Sequence, residues 1–358
     1  MIAGIPPNLE YRRGRLRILD QTRLPWEEVR VEARDAGAVA EAIARLAVRG
    51  APAIGIAAGY GLCVALAGLL ARDPDVGLDA ARAALADARG RLAASRPTAV
   101  NLPAALARLE RAEAVFCESA REATASDLLD RLEAEAAALH RDERQVCEDI
   151  AVAGLALLPE AATLVTHCNA GPLATGGIGT ALGVILRGHE QGRRFTVYAG
   201  ETRPLLQGAR LTAWELGRAG VPVRLMPDGA GPGLILAGKV DAVIVGADRV
   251  AANGDTANKL GTLPLALAAA RAGTPFYVAA PWSSFDPAAA GGGDIPIEER
   301  DAAEVTHLAG RETAAPGTAA YNPAFDVTPG DLVTAFLTER GALRPPYAFA
   351  ADGGCDPD

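Results

Sequence analysis

The apolar positions of the chain change rhythm near Leu158. Before it they recur at helical spacing. Val39, Ile43 and Leu46 share one face of a segment from Ala38 to Arg49, and Gly50 offers a stop. Pro52 then starts a second segment that carries no charge from Ala51 to Ala71. The same spacing predicts helices over Leu78–Ala94, Leu102–Phe116 and Ser126–Leu158, the last with Ser126 as N-cap and Asp127 and Asp130 in its first turns. It is long enough to bridge two domains. After Leu158, short β-rich runs alternate with helical ones. The predicted strands are Thr163–Thr166, Phe195–Ala199, Val223–Met226, Ala242–Val245 and Phe276–Ala279. Between them lie helical patterns at Thr180–Glu190, Gln207–Gly217, Gly233–Ala237 and Lys259–Ala272. Such alternation predicts an α/β chain with a parallel sheet covered by helices on both faces. Ligands of these sheets sit at the C-terminal ends of the strands. The last dozen residues read as a frayed tail.

Composition narrows the function classes. Half of the 358 residues are hydrophobic, ample for one large or two ordinary domains. A net charge of −9 with scattered arginines argues against a nucleic-acid partner. The uncharged run at Ala51–Ala71 raises the question of a membrane span. Pro52, Gly55, Gly59, Gly61, Gly68 and many alanines favour a buried helix that packs closely, so no membrane role is expected. Cys63, Cys117, Cys147, Cys168 and Cys355 are odd in number and widely spaced, as free thiols in a reducing compartment would be. The N-terminal residues lack the apolar core of a signal peptide, and the expected location is the cytoplasm.

Candidate chemistry gathers at the strand ends. The run LVTHCNAGPLATGGIGTALG sets Cys168 at the end of the first strand, before Asn169, Gly171 and a helix start. Backbone amides at such a place lower a thiol's pKa and bind anions. Two readings of Cys168 stay open, an activated thiol and a small buried hydrophobe. His167 alternates to the other side. A dinucleotide fingerprint fails here: Gly177 and Gly179 supply two glycines, Leu182 takes the third place and Gly183 comes one late. The fourth strand runs into Asp248, read either as an acid that keeps its proton in a low-dielectric cleft or as a turn residue. Asn258 and Lys259 are expected to open the next helix, whose free amides plus an ammonium would hold phosphate. Arg203 and Gln207 follow the second strand, and Arg203 has Glu201 as an alternative partner. Arg49 precedes Gly50, Ala51 and a proline-started helix, another anion-binding geometry. Arg96 lies in an extended segment before Pro97. Each arginine has a plain surface reading beside the ligand one. No HxxxH or HxH spacing suggests a metal, and neither GxSxG nor GxxxxGK[ST] occurs.

Several longer runs agree with one family. LDQTRLP (19–25), RGAPAIGIAAGYG (49–61), SRPTAVNLP (95–103), THCNAGPLATGGIGTALG (166–183), ETRPLLQGARLTAWEL (201–216), VDAVIVGADRVAANGDTANKLGT (240–262) and NPAFDVTP (322–329) stand in family order. The chain resembles the methylthioribose-1-phosphate isomerases, in the larger group that includes the regulatory α, β and δ subunits of eukaryotic translation initiation factor 2B. The resemblance implies a helical N-terminal domain with a small antiparallel sheet over 1–145, a Rossmann-like catalytic domain over 146–345 and a tail over 346–358. It implies a homodimer that converts 5-methylthio-ribose 1-phosphate to the ribulose 1-phosphate in methionine salvage, with no metal or cofactor. Cys168 and Asp248 become the catalytic pair by this resemblance. Arg49, Gly50, Ala51, Arg96, Gln207, Asn258 and Lys259 become the substrate-binding set. The runs MPDGAGPGL (226–234), PWSSFD (281–286) and the proline in GPLATGGIG depart from the family pattern. Relatives acting on 5-deoxyribose 1-phosphate or ribose 1,5-bisphosphate, and a non-catalytic regulatory subunit, are the alternative readings.

Overall fold

The structure, a computed structural model, describes residues 2–96, 101–119 and 123–350. The chain divides into two compact units, and the division falls inside one long helix, between Val146 and Cys147. Segment 172–179 belongs to the first unit and Ile2–Gly4 to the second.

The first unit opens with an antiparallel sheet of β1 (Leu9–Arg12), β2 (Arg15–Leu19) and β3 (Arg30–Ala33). Helices α1 (Ala36–Ala44), α2 (Ala51–Arg72), α3 (Leu78–Ala94), α4 (Asn101–Ser119) and α5 (Ala125–Leu155) follow. The core is built around α2, whose residues from Ala53 to Val64 are all buried. Its glycines admit the neighbours: a Cβ on Gly55 would stand 3.0 Å from Asn101 O, and one on Gly61 would stand 3.2 Å from Leu92. Among the described residues α2 is the helix apolar and long enough to cross a membrane, yet most of it is buried inside the protein. Helix α5 starts one residue earlier than its sequence pattern suggests. Thr124 is its cap, not Ser126: the Thr124 hydroxyl accepts from Asp127 N–H while the Asp127 carboxylate accepts from Thr124 N–H.

The second unit contains, in order, β4 (Ala161–Thr166), α6 (Ala181–Glu190), β5 (Arg194–Gly200), α7 (Ala213–Arg218), β6 (Val223–Met226), α8 (Ala230–Leu236), β7 (Ala242–Val245), β8 (Arg249–Ala251), β9 (Thr256–Lys259), α9 (Thr262–Ala272), β10 (Phe276–Ala279), β11 (Phe285–Asp286), α10 (Ala303–Thr306), the short hairpin β12 (His307–Leu308) and β13 (Arg311–Glu312), β14 (Phe325–Thr328), β15 (Ala335–Thr338) and β16 (Gly341–Leu343). The main sheet has the order β16-β15-β10-β7-β4-β5-β6 and is parallel except at β16. A smaller sheet, β11-β8-β9-β14, follows the end of β7. Strands β7 and β10 are buried at every position, which is why they read as unbroken apolar runs.

Two expectations need correction. The sheet has β15 and β16 beyond the five strands expected, because their apolar stretch is short and no helix follows to mark it. The chain also stays packed past residue 346: Phe349 is 3% exposed, its N–H donates to Ala252 O, and its ring meets Trp282, Phe285 and Phe336 edge-on. Residues 351–358, with Cys355, lie outside the described residues.

Candidate active site

Two neighbouring parallel strands deliver the expected pair to one end of the sheet. Val165 of β4 stands opposite Val243 of β7, so Cys168 and Asp248 leave the same end. The loops touch there, since a Cβ on Gly246 would stand 3.0 Å from Ala170 Cβ. Cys168 is half-buried and has φ of +60°, in the left-handed region that a side chain seldom adopts. Thr202 (+67°) and Leu206 (+58°), in the loop after β5, share this conformation. The three lie in the loops that follow two neighbouring strands, β4 and β5, and such strained backbone persists only where the surroundings hold it.

Hydrogen bonds fix the Cys168 turn on both sides. Its N–H donates to Thr202 Oγ1 at 3.0 Å, and the Thr212 hydroxyl donates to its carbonyl oxygen. Asn169 Nδ2 donates to Thr212 Oγ1 at 3.1 Å and to the Glu215 carboxylate. Thr202, Thr212 and Glu215 are fully buried. No helix start follows Cys168 directly: the chain makes a short 3-10 turn at Pro172–Ala174, and α6 begins at Ala181. The amides nearest Cys168 are those of a loop.

Gln207 stands just before a π-helical turn, Gly208–Thr212, that continues into α7. A Cβ on Gly208 would stand 1.7 Å from Gly200 O, so only glycine lets this turn press on the end of β5. Gln207 is 7% exposed, and its Oε1 has no hydrogen-bond partner among the described residues. A buried amide oxygen left so is costly unless a ligand completes it. Arg203 turns away from Glu201, donating to Pro204 O and Val305 O. The loop is anchored by Asp228, which accepts from Thr202 N–H at 2.7 Å and Arg203 N–H at 2.8 Å.

Asp248 differs from expectation in its surroundings. Strand β7 ends at Val245, the chain turns outward, and the Asp248 side chain is exposed. Its N–H donates to Ala257 O at 3.0 Å, which sets it level with Asn258 across the β8–β9 hairpin. Asn258 and Lys259 are also displaced from their expected place. They close strand β9 rather than open a helix, because Asn253–Gly254 turns the chain back as a hairpin, with Gly254 at φ +86°. The first amides of α9 are not free for phosphate either. The Asp326 carboxylate accepts from Gly261 N–H at 2.7 Å and Leu263 N–H at 3.1 Å. Burial pushes the Asp326 carboxyl up to about 6, against those two amides. Asn258 Nδ2 donates to Thr262 Oγ1 at 2.9 Å. Lys259 Nζ donates to Ala324 O at 2.9 Å and lies over the Phe325 ring.

In the first unit, Gly50 caps α2 with φ of +95°, and Ala51 and Pro52 form its first turn. A Cβ on Gly50 would stand 2.3 Å from Ala174 O, so segment 172–179 rests directly on this turn. That segment is held by Asn8 and Gln21, which donate to Leu173 O, and by His140 and Arg144, which meet Gly176 O. Arg49 is half-buried at the same turn, and Arg96, also half-buried, stands just past the end of α3. The rest of the Arg96 loop, residues 97–100, lies outside the described residues.

The second unit therefore brings Cys168, Gln207, Asp248, Asn258 and Lys259 to one end of its sheets, while Arg49, Gly50 and Ala51 form a turn of the first. Sequence reasoning gave no role to Thr202, Thr212, Glu215, Asp228 or Asp326. Asp228 sits in the run that departs from the family pattern and Asp326 in one that matches it. Asn253–Gly254 was the available signal for the hairpin. Among the described residues no three His, Cys, Asp or Glu side chains converge as for a metal ion.

Comparison with known proteins agrees across the chain. The profile of the initiation factor 2 subunit family matches residues 47–345. A methylthioribose-1-phosphate isomerase of Pelotomaculum thermopropionicum is 53% identical over 335 residues, covering 93% of this chain and 90% of that protein. Its namesake in Gemmatimonas aurantiaca is 51% identical, covering 95% and 94%. The crystal structure of 5-methylthioribose 1-phosphate isomerase from Pyrococcus horikoshii superposes with a TM-score of 0.89 at 39% identity, covering 96% and 94%. A structure described as translation initiation factor eIF-2B, subunit delta, from A. fulgidus gives 0.86 at 38%, covering 96% and 97%. The chain belongs to the initiation factor 2 subunit family, and over nearly its whole length it is similar to the members called methylthioribose-1-phosphate isomerase.

Proposed function

We propose that this chain is the aldose–ketose isomerase of methionine salvage that converts 5-methylthio-ribose 1-phosphate to 5-methylthio-ribulose 1-phosphate, acting as a cytoplasmic homodimer. The observation that carries the reading is the 53% identity, over 93% of the chain, to a protein of that name. The joint exit of Cys168 and Asp248 from neighbouring strands supports it. Arg49, Gly50, Ala51, Arg96, Gln207, Asn258 and Lys259 hold the sugar phosphate in this reading, and the unpartnered Oε1 of Gln207 suits a sugar hydroxyl.

The substrate's phosphate locks C1 in a ring acetal, so isomerisation starts by opening the ring. Asp248, protonated, gives its proton to the ring oxygen as the C1–O4 bond breaks. The Cys168 thiolate takes the C2 proton, which leaves an enediol carrying the phosphate at C1. The C2 hydroxyl returns a proton to Asp248, and Cys168 delivers its proton to C1, giving the ketone at C2. The bound sugar covers the exposed Asp248 and supplies the desolvation that keeps it protonated. A hydride shift from C2 to C1 is the competing route, with Cys168 acting electrostatically; retention of C2 deuterium at C1 marks it.

Cys168→Ser and Asp248→Asn are each expected to lower kcat by at least ~100-fold, the usual scale for acid–base groups, with an unchanged melting temperature. A near-normal rate in either variant removes that residue from the reaction. The regulatory-subunit reading, raised by the A. fulgidus structure, expects no turnover in the native chain.

A further inference from the structure

Beside Cys168, on the opposite face of the turn, His167 is 2% exposed. Its Nε2 lies 2.8 Å from Leu260 O, which can only accept, so the ring carries its hydrogen on Nε2. Leu260 directly follows Asn258 and Lys259. On the other side of the ring, Nδ1 stands 3.8 Å from Asp228 Oδ1, too far for a hydrogen bond. Asp228 accepts from Thr202 N–H, and Thr202 Oγ1 in turn accepts from Cys168 N–H. Two glycines make room for the ring. A Cβ on Gly261 would stand 2.9 Å from Nε2, and one on Gly200 would stand 2.8 Å from Nδ1. The imidazole thus fills the gap between the end of β5 and the turn before α9.

We propose that His167 is a positioning residue that ties the Asn258–Lys259 end of the hairpin to the turn carrying Cys168. The proposal deepens the isomerase reading and rests on it for the roles of Cys168, Asn258 and Lys259. The tie has a physical logic. A migrating hydrogen needs its acceptor held within a few tenths of an ångström of the sugar carbon, while the substrate-binding residues hold the sugar itself. Cys168 reaches its place from β4 and Lys259 from a separate hairpin, so their spacing depends on whatever spans the two segments. His167 spans them through its hydrogen bond to Leu260 O and the close packing of its ring against Gly200 and Gly261. Burial holds the ring below the usual imidazole range; Leu260 O and the Asp228 carboxylate oppose this, and the Lys259 ammonium adds to it. A neutral ring keeps one fixed tautomer through the working pH range.

The test compares His167→Leu, His167→Gln and His167→Asn in the full chain by two readouts. Amide hydrogen exchange needs no substrate, so it tests the tie even in a chain that turns over none of the sugar phosphates. His167→Leu is expected to raise exchange at least ~10-fold in both 200–207 and 258–263, with strand β7 unchanged. His167→Gln, whose amide nitrogen can reach Leu260 O, is expected to restore protection to within about threefold, and His167→Asn, one methylene shorter, is not. In the isomerase assay kcat falls at least ~10-fold in the Leu and Asn variants and recovers in the Gln variant, while KM rises because the Lys259 segment moves too. Equal exchange in all three variants and the native chain overturns the tie, as does a Gln variant no better than Asn. Should His167→Leu fail to fold, the Gln and Asn variants decide between the two outcomes. Native turnover with unchanged kinetics in every His167 variant would leave the isomerase reading standing and the tie refuted.

Discussion

At the residue scale, the site depends on polar side chains whose partners leave them little freedom. Cys168 accepts a strained backbone because two threonine hydroxyls grip its amide and carbonyl. In the first unit His140 is 8% exposed, with Nε2 3.0 Å from Gly176 O and Nδ1 3.3 Å from Tyr60 Oη. Each ring nitrogen already has a use in the neutral form. Burial, aided by the Arg144 charge, pushes the His140 imidazole down to about 4. Below about pH 6.5 the unfolded chain therefore takes up a proton that the folded chain refuses, so stability falls on acidification towards pH 4. Asp326 works with the opposite sign. The folded chain keeps its proton up to about 6, so its contribution is full below the ordinary carboxylate range and is lost as the pH rises through 6. Unfolding free energies measured from pH 4 to 6.5 are expected to lose up to ~1.4 kcal/mol of slope per pH unit in His140→Gln. In Asp326→Asn the loss on acidification becomes steeper. Parallel profiles for the native chain and both variants would contradict these assignments.

At the scale of elements, legibility followed burial. Strands β7 and β10, buried at every position, are readable to the residue, since an apolar run between turn signals has few other uses. Helix α3 was equally plain. The β8–β9 hairpin is hard to read because its strands are short, mostly small or polar, and followed at once by α9; Asn253–Gly254 is its one local turn signal. The positions of Cys168 and Asp248 were legible as strand ends. Thr202, Thr212 and Asp228 were not, because their use comes from a loop conformation that no period in the sequence records. The departing run PWSSFD has a packing role: Trp282 stacks on Phe285 at 4.6 Å, its backbone N–H donates to the Glu339 carboxylate, and the Arg340 guanidinium lies 3.9 Å above its ring. Phe349 closes this cluster. Phe349→Ala is expected to cost about 3–5 kcal/mol, the usual range for a buried aromatic, read as a lower melting temperature. A melting temperature within one degree or so of native would return the segment to the status of a loose tail.

At the scale of the whole chain, the two units contribute different chemistry to one proposal. The parallel-sheet unit provides a half-buried thiol, a carboxylate and the polar groups around them. The helical unit provides an arginine-bearing turn whose glycine is fixed by segment 172–179. Charge fits this proposal, since an acidic chain of net −9 needs local cations for an anionic sugar phosphate, the part the proposed function gives to Arg49, Arg96 and Lys259. The most direct test of the central claim is turnover of the purified chain, without added metal or nucleotide, on 5-methylthio-ribose 1-phosphate beside 5-deoxyribose 1-phosphate and ribose 1,5-bisphosphate. The ketose 1-phosphate is expected to form from the methylthio sugar with the highest kcat/KM of the three. Absence of ketose from all three at high enzyme concentration, or a clear preference for either other sugar, would contradict it.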